Sequence, residues 1–277
     1  SQNFPLSLEA NRDSCSLLNV KKIGVVVPTL FTRPDYLEQC LKSIHSAGEA
    51  HVILMGPDIE KNAKPYIQLV DQLIDEPKEG TLSSKLSFAL SSLSKEIELI
   101  TWIGDDDLLA PGSLRSLEIE FENDEDLVLL YGACDYIDSA GSKIGKNRSG
   151  PWALGLAKIG PFLVPQPGSL FSRKAFEAVN GLDEKLKLAF DFDLFMSLFK
   201  QGKVKYLDKT LASFRWHEES LSVDQRKESV REASIVRSKH ASPSLKRLLW
   251  LTNPLVEVAT YAAGVAVNHR LRRTLSK

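Results

Sequence analysis

The sequence predicts an α/β fold, a single domain with a mostly parallel central sheet and a helical extension at its C-terminal end. Three observations carry this. Short β-branched runs recur through the first half, segments with helical spacing alternate with them, and polar or acidic residues follow directly where the runs stop. In open parallel sheets ligands bind beyond the carboxyl ends of the strands. The ends marked here are Thr29, the turn Gly56-Pro57-Asp58 and the triplet Asp105-Asp106-Asp107.

Residues 23–27, Ile-Gly-Val-Val-Val, read as a strand buried on both faces and closed by Pro28-Thr29. Pro34 is placed to open a helix on which Tyr36, Leu37, Cys40, Leu41 and Ile44 share one side. Residues 51–55 form a second run that stops at Gly56-Pro57. Residues 68–74 form a weaker third, and 82–93 are helical, with Leu86, Ala89, Leu90 and Leu93 on one face. Residues 99–103 make another buried strand that leads into the acidic triplet. Pro111-Gly112 then opens a helix, and residues 127–131 are the next strand.

The second half is less regular. Residues 141–167 are rich in glycine and proline and read as loops around an acceptor cleft. A strand is expected within 166–172, a helix over 189–200, short strands at 204–206 and 211–214, and a polar helix over 225–240. Residues 248–267 are mostly apolar, but Asn253, Glu257, Thr260, Gly264 and Asn268 form a narrow polar stripe. Lys246-Arg247 and Arg270, Arg272 and Arg273 flank the segment. Pro254 and Glu257 argue against a membrane span. An interfacial helix with basic ends suits the pattern, and packing on the domain or a partner subunit is the alternative. The expected division is a tail at 1–20, the α/β domain at 21–224 and a helical extension at 225–277.

Composition excludes some classes. A formal net charge of -1 implies no bulk affinity for nucleic acid. Cys15, Cys40 and Cys134 form no pair motif, which points to a reducing, cytoplasmic setting, and residues 1–19 lack a signal-peptide pattern.

Three adjacent carboxylates at the end of a buried strand repel one another and call for a cation or strong donors. A hard divalent ion shared with a substrate diphosphate would supply that, and a solvated acidic turn is the plain alternative. The triplet comes after Val25-Val26-Val27-Pro28-Thr29 and is followed by Leu108-Leu109-Ala110-Pro111-Gly112-Ser113-Leu114. Further on lie Gln166-Pro167-Gly168-Ser169-Leu170-Phe171 with Gly181-Leu182-Asp183, then Phe190-Asp191-Phe192-Asp193-Leu194, and last Phe214-Arg215-Trp216-His217 ending in Ser220-Leu221-Ser222. In this order, over roughly residues 23–222, the segments resemble glycosyltransferase family 2, inverting enzymes of the Rossmann-like GT-A fold.

The resemblance implies a nucleoside-diphosphate sugar as donor, with a UDP-sugar favoured. It also implies a divalent metal (Mn2+ or Mg2+) and a saccharide or lipid-linked acceptor in bacterial surface-polysaccharide or glycoconjugate synthesis. Pro28 and Thr29 would lie along the nucleotide base, and Asp58 stands nearest the place of a base-reading acid. Lys85 could reach the nucleotide or its phosphates or be a solvated lysine on its helix, and Arg215 could pair with the diphosphate or brace the loop. Gly104 occupies the place of the family's first metal-motif aspartate. That leaves Asp106 as metal ligand, supported by Asp107 and His217, with Asp105 on the ribose. Asp191 matches the general base, and Asp193, two residues on, would point away from it as a supporting residue. His45, His51, His240 and His269 receive no role. The other readings are a non-catalytic sugar-nucleotide-binding module and a sugar-phosphate nucleotidyltransferase. The latter is disfavoured because residues 28–35 are not a glycine-rich basic loop.

Overall fold

The computed structural model describes residues 22–147, 149–216 and 225–275, with side chains described from residue 23 to 269 of these. The first strand, β1 (Lys22–Pro28), runs parallel to β2 (His51–Gly56) on one side and to β4 (Ile97–Trp102) on the other. The four-residue β3 (Gln72–Asp75) adds in parallel outside β2. These are the buried runs that the sequence marks, and their parallel pairing requires helical crossovers. Helix α1 (Pro34–Ala47) and α3 (Leu82–Ser91) provide two of them. Between β2 and β3 the chain forms only a short helix α2 (Ile59–Asn62) and a 3-10 turn over Lys64–Leu69.

Past β4 the sheet becomes mixed. Its order is β3-β2-β1-β4-β8 (Leu170–Ser172)-β6 (Leu127–Ile137)-β9 (Lys203–Arg215)-β5 (Leu108–Leu109), with β7 (Lys143–Asn147) paired to β6. The two-residue β5 (Leu108–Leu109) follows the acidic triplet, and helix α4 (Ser113–Asn123) leads to the long β6 (Leu127–Ile137). Residues 141–167, expected as loops, contain β7 (Lys143–Asn147), antiparallel to β6, and a short helix α5 (Ala153–Ala157). Half-burial on the outer edge of β6 leaves no strong alternation in β7, so its strand state comes from pairing. The strand expected within 166–172 shrinks to β8 (Leu170–Ser172), followed at once by α6 (Arg173–Ala178).

The two short strands expected at 204–206 and 211–214 are one strand, β9 (Lys203–Arg215), parallel to β6. Register shifts at Gly132 and Ala133 let β9 keep pairing through the exposed, polar stretch around Asp208 and Lys209 that looks like a break in sequence. Helix α7 (Phe190–Leu198) precedes β9. Two helices follow, α8 (Arg226–His240) and the 33-residue α9 (Pro243–Leu275).

Apolar layers cover both faces of the sheet. On one side α1 and α4 bury Leu37, Leu41, Ile44, Leu114, Leu117 and Phe121 against Val25, Val27 and Leu99. On the other, Leu86, Phe176, Phe192 and Phe195 cover Val26, Ile100, Leu129 and Phe171. The second layer brings α7 onto the sheet near the end of β4: Trp102 packs at 6.0 Å between ring centroids from Phe190 and at 5.6 Å from Phe171.

Candidate active site

The acidic triplet begins three residues beyond Trp102, and the β1–α1 loop lies against it. Thr29, buried at the end of β1, donates its hydroxyl to Asp105 Oδ2 at 2.6 Å and accepts the Phe31 amide at 3.0 Å. The second bond holds Phe31 at φ 57°, in the left-handed region that a bulky residue rarely adopts. The loop can turn so tightly because Gly56 faces it: a Cβ there would stand 2.6 Å from both the Thr29 carbonyl oxygen and the Phe31 ring. Beyond the turn, Arg33 reaches back to Asp106 Oδ2 at 2.9 Å and comes within 3.8 Å of Asp105 Oδ1. Two of the three carboxylates therefore share a guanidinium, which answers the repulsion expected from the sequence. Arg33 carried no functional expectation. Its signal, an arginine just before the helix-opening Pro34, is too common to single out.

Asp107 turns the opposite way. Its Oδ1 accepts the Arg215 amide at 2.9 Å, and burial, with Asp106 beside it, pushes its carboxyl well above the usual carboxylate range. Arg215 is fully buried. Its guanidinium donates to the carbonyls of Asp106, Asp138 and Ser139 and to Gln39 Oε1, and it stacks 4.2 Å from the Tyr36 ring. These contacts tie Arg215 to the backbone beyond the acidic triplet and to α1. Gln166 adds another tie, donating to the Trp102 carbonyl at 2.7 Å.

Asp191 sits in the first turn of α7, next to Phe190, which packs on Trp102. Its Oδ1 accepts the Phe192 amide at 2.7 Å, yet burial dominates and pushes the carboxyl up to about 6. The α7 N-terminus has no cap of its own. Glu232 of α8 supplies one: its carboxylate accepts the amides of Lys187, Leu188 and Ala189 at 3.1, 2.8 and 2.9 Å. Asp193 is buried on the α8 side, where His240 and Lys239 bond it at 2.8 Å each. Burial raises its carboxyl, but those two partners outweigh the burial and hold it below the usual range. Neither Glu232 nor His240 was singled out from sequence, because their partners lie more than forty residues away.

The remaining expected residues are more scattered. Pro28 ends β1 opposite Met55. Asp58 is exposed, in a left-handed turn at φ 47°, and makes no side-chain cap to α2. Lys85 pairs with Glu76 at 3.0 Å. His217 lies outside the described residues.

For a divalent metal, the half-exposed Asp106 offers hard oxygen donors at the mouth of the site, and Arg33 already marks the place as one that draws a cation. Among the described residues, no group of three His, Cys, Asp or Glu side chains is gathered to hold an ion. One or two carboxylates plus substrate phosphates are an ordinary set for Mg2+-like ions, so the residues fit a metal that arrives with a diphosphate.

No family model matches the chain. It is 26% identical over 212 residues to a hyaluronan synthase of Pasteurella multocida, covering 74% of this chain and 21% of that protein. A chondroitin synthase of Escherichia coli is 21% identical over 216 residues, 76% of this chain and 31% of its own length. The chain thus spans between a fifth and a third of these curated relatives. Among solved structures, S. aureus TarS in complex with UDP superimposes with TM-score 0.58 at 13% identity, over 82% of this chain and 69% of that one. The mannosyltransferase PcManGT from Pyrobaculum calidifontis, in complex with GDP-Man and Mn2+, gives 0.60 at 14%, over 92% and 78%. The chain thus has a GT-A-like α/β fold, and about three quarters of it is distantly similar in sequence to the hyaluronan and chondroitin synthases.

Proposed function

We propose that this chain transfers a sugar, with inversion, from a nucleoside-diphosphate sugar to a hydroxyl of a saccharide or lipid-linked acceptor in surface-polysaccharide or glycoconjugate synthesis. The observation that carries the proposal is the packing of Trp102 on Phe190, which sets the carboxylates at the end of β4 beside a helix that opens on a carboxylate of raised pKa. Residues 21–224 form the transferring unit in this reading. Residues 225–277 form an extension that contacts the inner face of the cell membrane from the cytoplasm.

Thr29 and Asp105 form one hydrogen-bonded wall on which the nucleoside would rest, with Pro28 along the base, Asp105 turned to the ribose and Asp58 beside the base edge. A UDP donor is favoured by the UDP complex of TarS. Asp106, with Asp107 and His217 in support, would hold Mn2+ or Mg2+, and the manganese complex of PcManGT supports that choice. When bound, such an ion stabilises negative charge on a leaving diphosphate. Arg33, paired with Asp106, would bring positive charge to the same diphosphate, Lys85 would exchange Glu76 for it, and Arg215 would keep the loop in place.

Asp191 would take the proton of the acceptor hydroxyl as that oxygen attacks the anomeric carbon and the nucleoside diphosphate departs. A carboxyl near pH 6 is a stronger base than an ordinary aspartate and is still ionised at neutral pH. Calorimetric titration with UDP, GDP, dTDP and CDP, each with and without Mn2+, tests the reading. Metal-dependent binding of one nucleotide, lost in Asp106→Asn, is the expected result. No binding of any of them overturns it.

A further inference from the structure

Helix α9 is built inside out. Its polar stripe faces the protein, where α9 packs on α8 and β7. Asn253 accepts from Arg237 Nε at 3.1 Å, Asn268 accepts the Trp216 indole at 3.2 Å, and Gly264 leaves room for the Arg226 guanidinium. Among the described side chains of this helix, only Leu249 is a fully buried apolar residue. The opposite face carries Leu248, Leu251, Leu255, Val258 and Val265 at helical spacing, flanked by Trp250 and Tyr261, and all are exposed; Trp250 is 79% and Leu255 72% accessible.

This face has a definite charge pattern. Between Pro243 and Leu275 the only acidic residue is Glu257, which lies inward near Arg237. Lys246 and Arg247 stand exposed before the apolar stretch, and Arg270, Arg272 and Arg273 follow it in the helix. The apolar arc is also broad. A coiled-coil seam would place charged residues on both flanks, whereas Trp250, Pro254, Ala259, Tyr261 and Ala266 occupy them here. No helix of the described residues is long and apolar enough to cross a membrane.

We infer that α9 lies flat on an anionic phospholipid surface, its outward Leu248–Val265 face among the acyl chains and its basic ends on the headgroups, while the polar stripe fastens it to α8. A broad uncharged face fits hydrocarbon, and the basic termini fit a negative surface. The inference rests on the reading of residues 225–277 as a peripheral membrane contact and not on the transfer chemistry, so a failure of nucleotide binding leaves it standing.

Co-sedimentation of the full chain with phosphatidylcholine vesicles, with and without phosphatidylglycerol, tests it. Pelleting with the phosphatidylglycerol vesicles alone is expected, weakened by added salt, with a blue shift of tryptophan emission that Trp250→Phe removes. Leu255→Glu combined with Val258→Glu should lower the partition by about tenfold or more while circular dichroism and nucleotide binding stay unchanged. Lys246→Glu with Arg247→Glu should lower it with the apolar face intact. Absence of pelleting on anionic vesicles, or equal pelleting on neutral ones, overturns the inference. So does a doubled particle mass in solution that the Leu255 and Val258 substitutions reverse, since a second copy would then cover the face.

Discussion

His240 at the end of α8 bonds Asp193 across 2.8 Å, two residues beyond the proposed base Asp191, and both partners of this bond are nearly buried. Lys239 binds the other oxygen of Asp193 and also reaches Asp183 at 2.8 Å, so this one lysine ties α8 to α7 and to the loop before α7. Removing one member of a buried ionic cluster leaves the others without compensation. Asp193→Ala should therefore cost about 3 kcal/mol, read as a lower urea midpoint. The Asp193 carboxyl is depressed in the folded state, so its contribution is present above the ordinary aspartate range and is lost as pH falls through the lowered value. The gap between wild type and Asp193→Asn should narrow in acid; a constant gap would exclude the ionic account.

Asp191 has the reverse sign. Its carboxyl is raised to about 6 when folded, so the folded state holds the proton more tightly, and stability falls as pH rises from the ordinary aspartate value to about 6. Asp191→Asn should abolish turnover, leave nucleotide binding intact and stabilise the protein above pH 6 by up to about 3 kcal/mol. Wild-type kcat should decline below an apparent pKa near 6. A variant that is inactive and also less stable at neutral pH would show that Asp191 is a packing residue.

Glu232 acts on Asp191 only through the backbone of residues 187–189. Glu232→Ala leaves three amides at the helix start without their acceptor, and should cost about 1–2 kcal/mol, as for a lost helix cap. As a positioning residue it should lower kcat more than it raises the KM for donor, with Glu232→Gln recovering part of the loss. Equal effects on donor KM and kcat would argue against positioning.

Gly56 sets the shape of the loop on which the nucleoside is proposed to rest. A Cβ would meet the Thr29 carbonyl at 2.6 Å, and backbone cannot swing aside as a flexible side chain can. Gly56→Ala should cost about 1–3 kcal/mol in stability and weaken nucleotide binding by displacing Thr29 from Asp105. Unchanged calorimetric affinity in the folded variant would detach this loop from the nucleotide site.

Thr29→Val keeps the shape of the loop and removes the hydroxyl that Asp105 accepts and that receives the Phe31 amide. Loss of a buried hydrogen bond to a charged group is worth about 1.5–3 kcal/mol. Nucleotide affinity should fall while circular dichroism is preserved, and full affinity would place the nucleoside elsewhere.

Sequence alone determined the alternation of buried strands with helices and the strand-end places of Thr29 and the acidic triplet, because these follow from local patterns: continuous apolar runs, helical spacing and the abrupt polar end of a strand. Asp191 was marked by the family resemblance. The periodicity of residues 248–267 likewise disclosed a polar stripe. What tertiary structure alone decided was which way that stripe faces, since a helix reads the same whether its polar side meets solvent or the protein. It also decided that β9 is one strand, held through a polar stretch by pairing with β6. The partners that hold the site were equally hidden, because Arg33 with Asp106, Glu232 with the start of α7 and His240 with Asp193 are joined across gaps of more than forty residues. Such contacts depend on where packing brings distant backbone together, and no local pattern of residues records it.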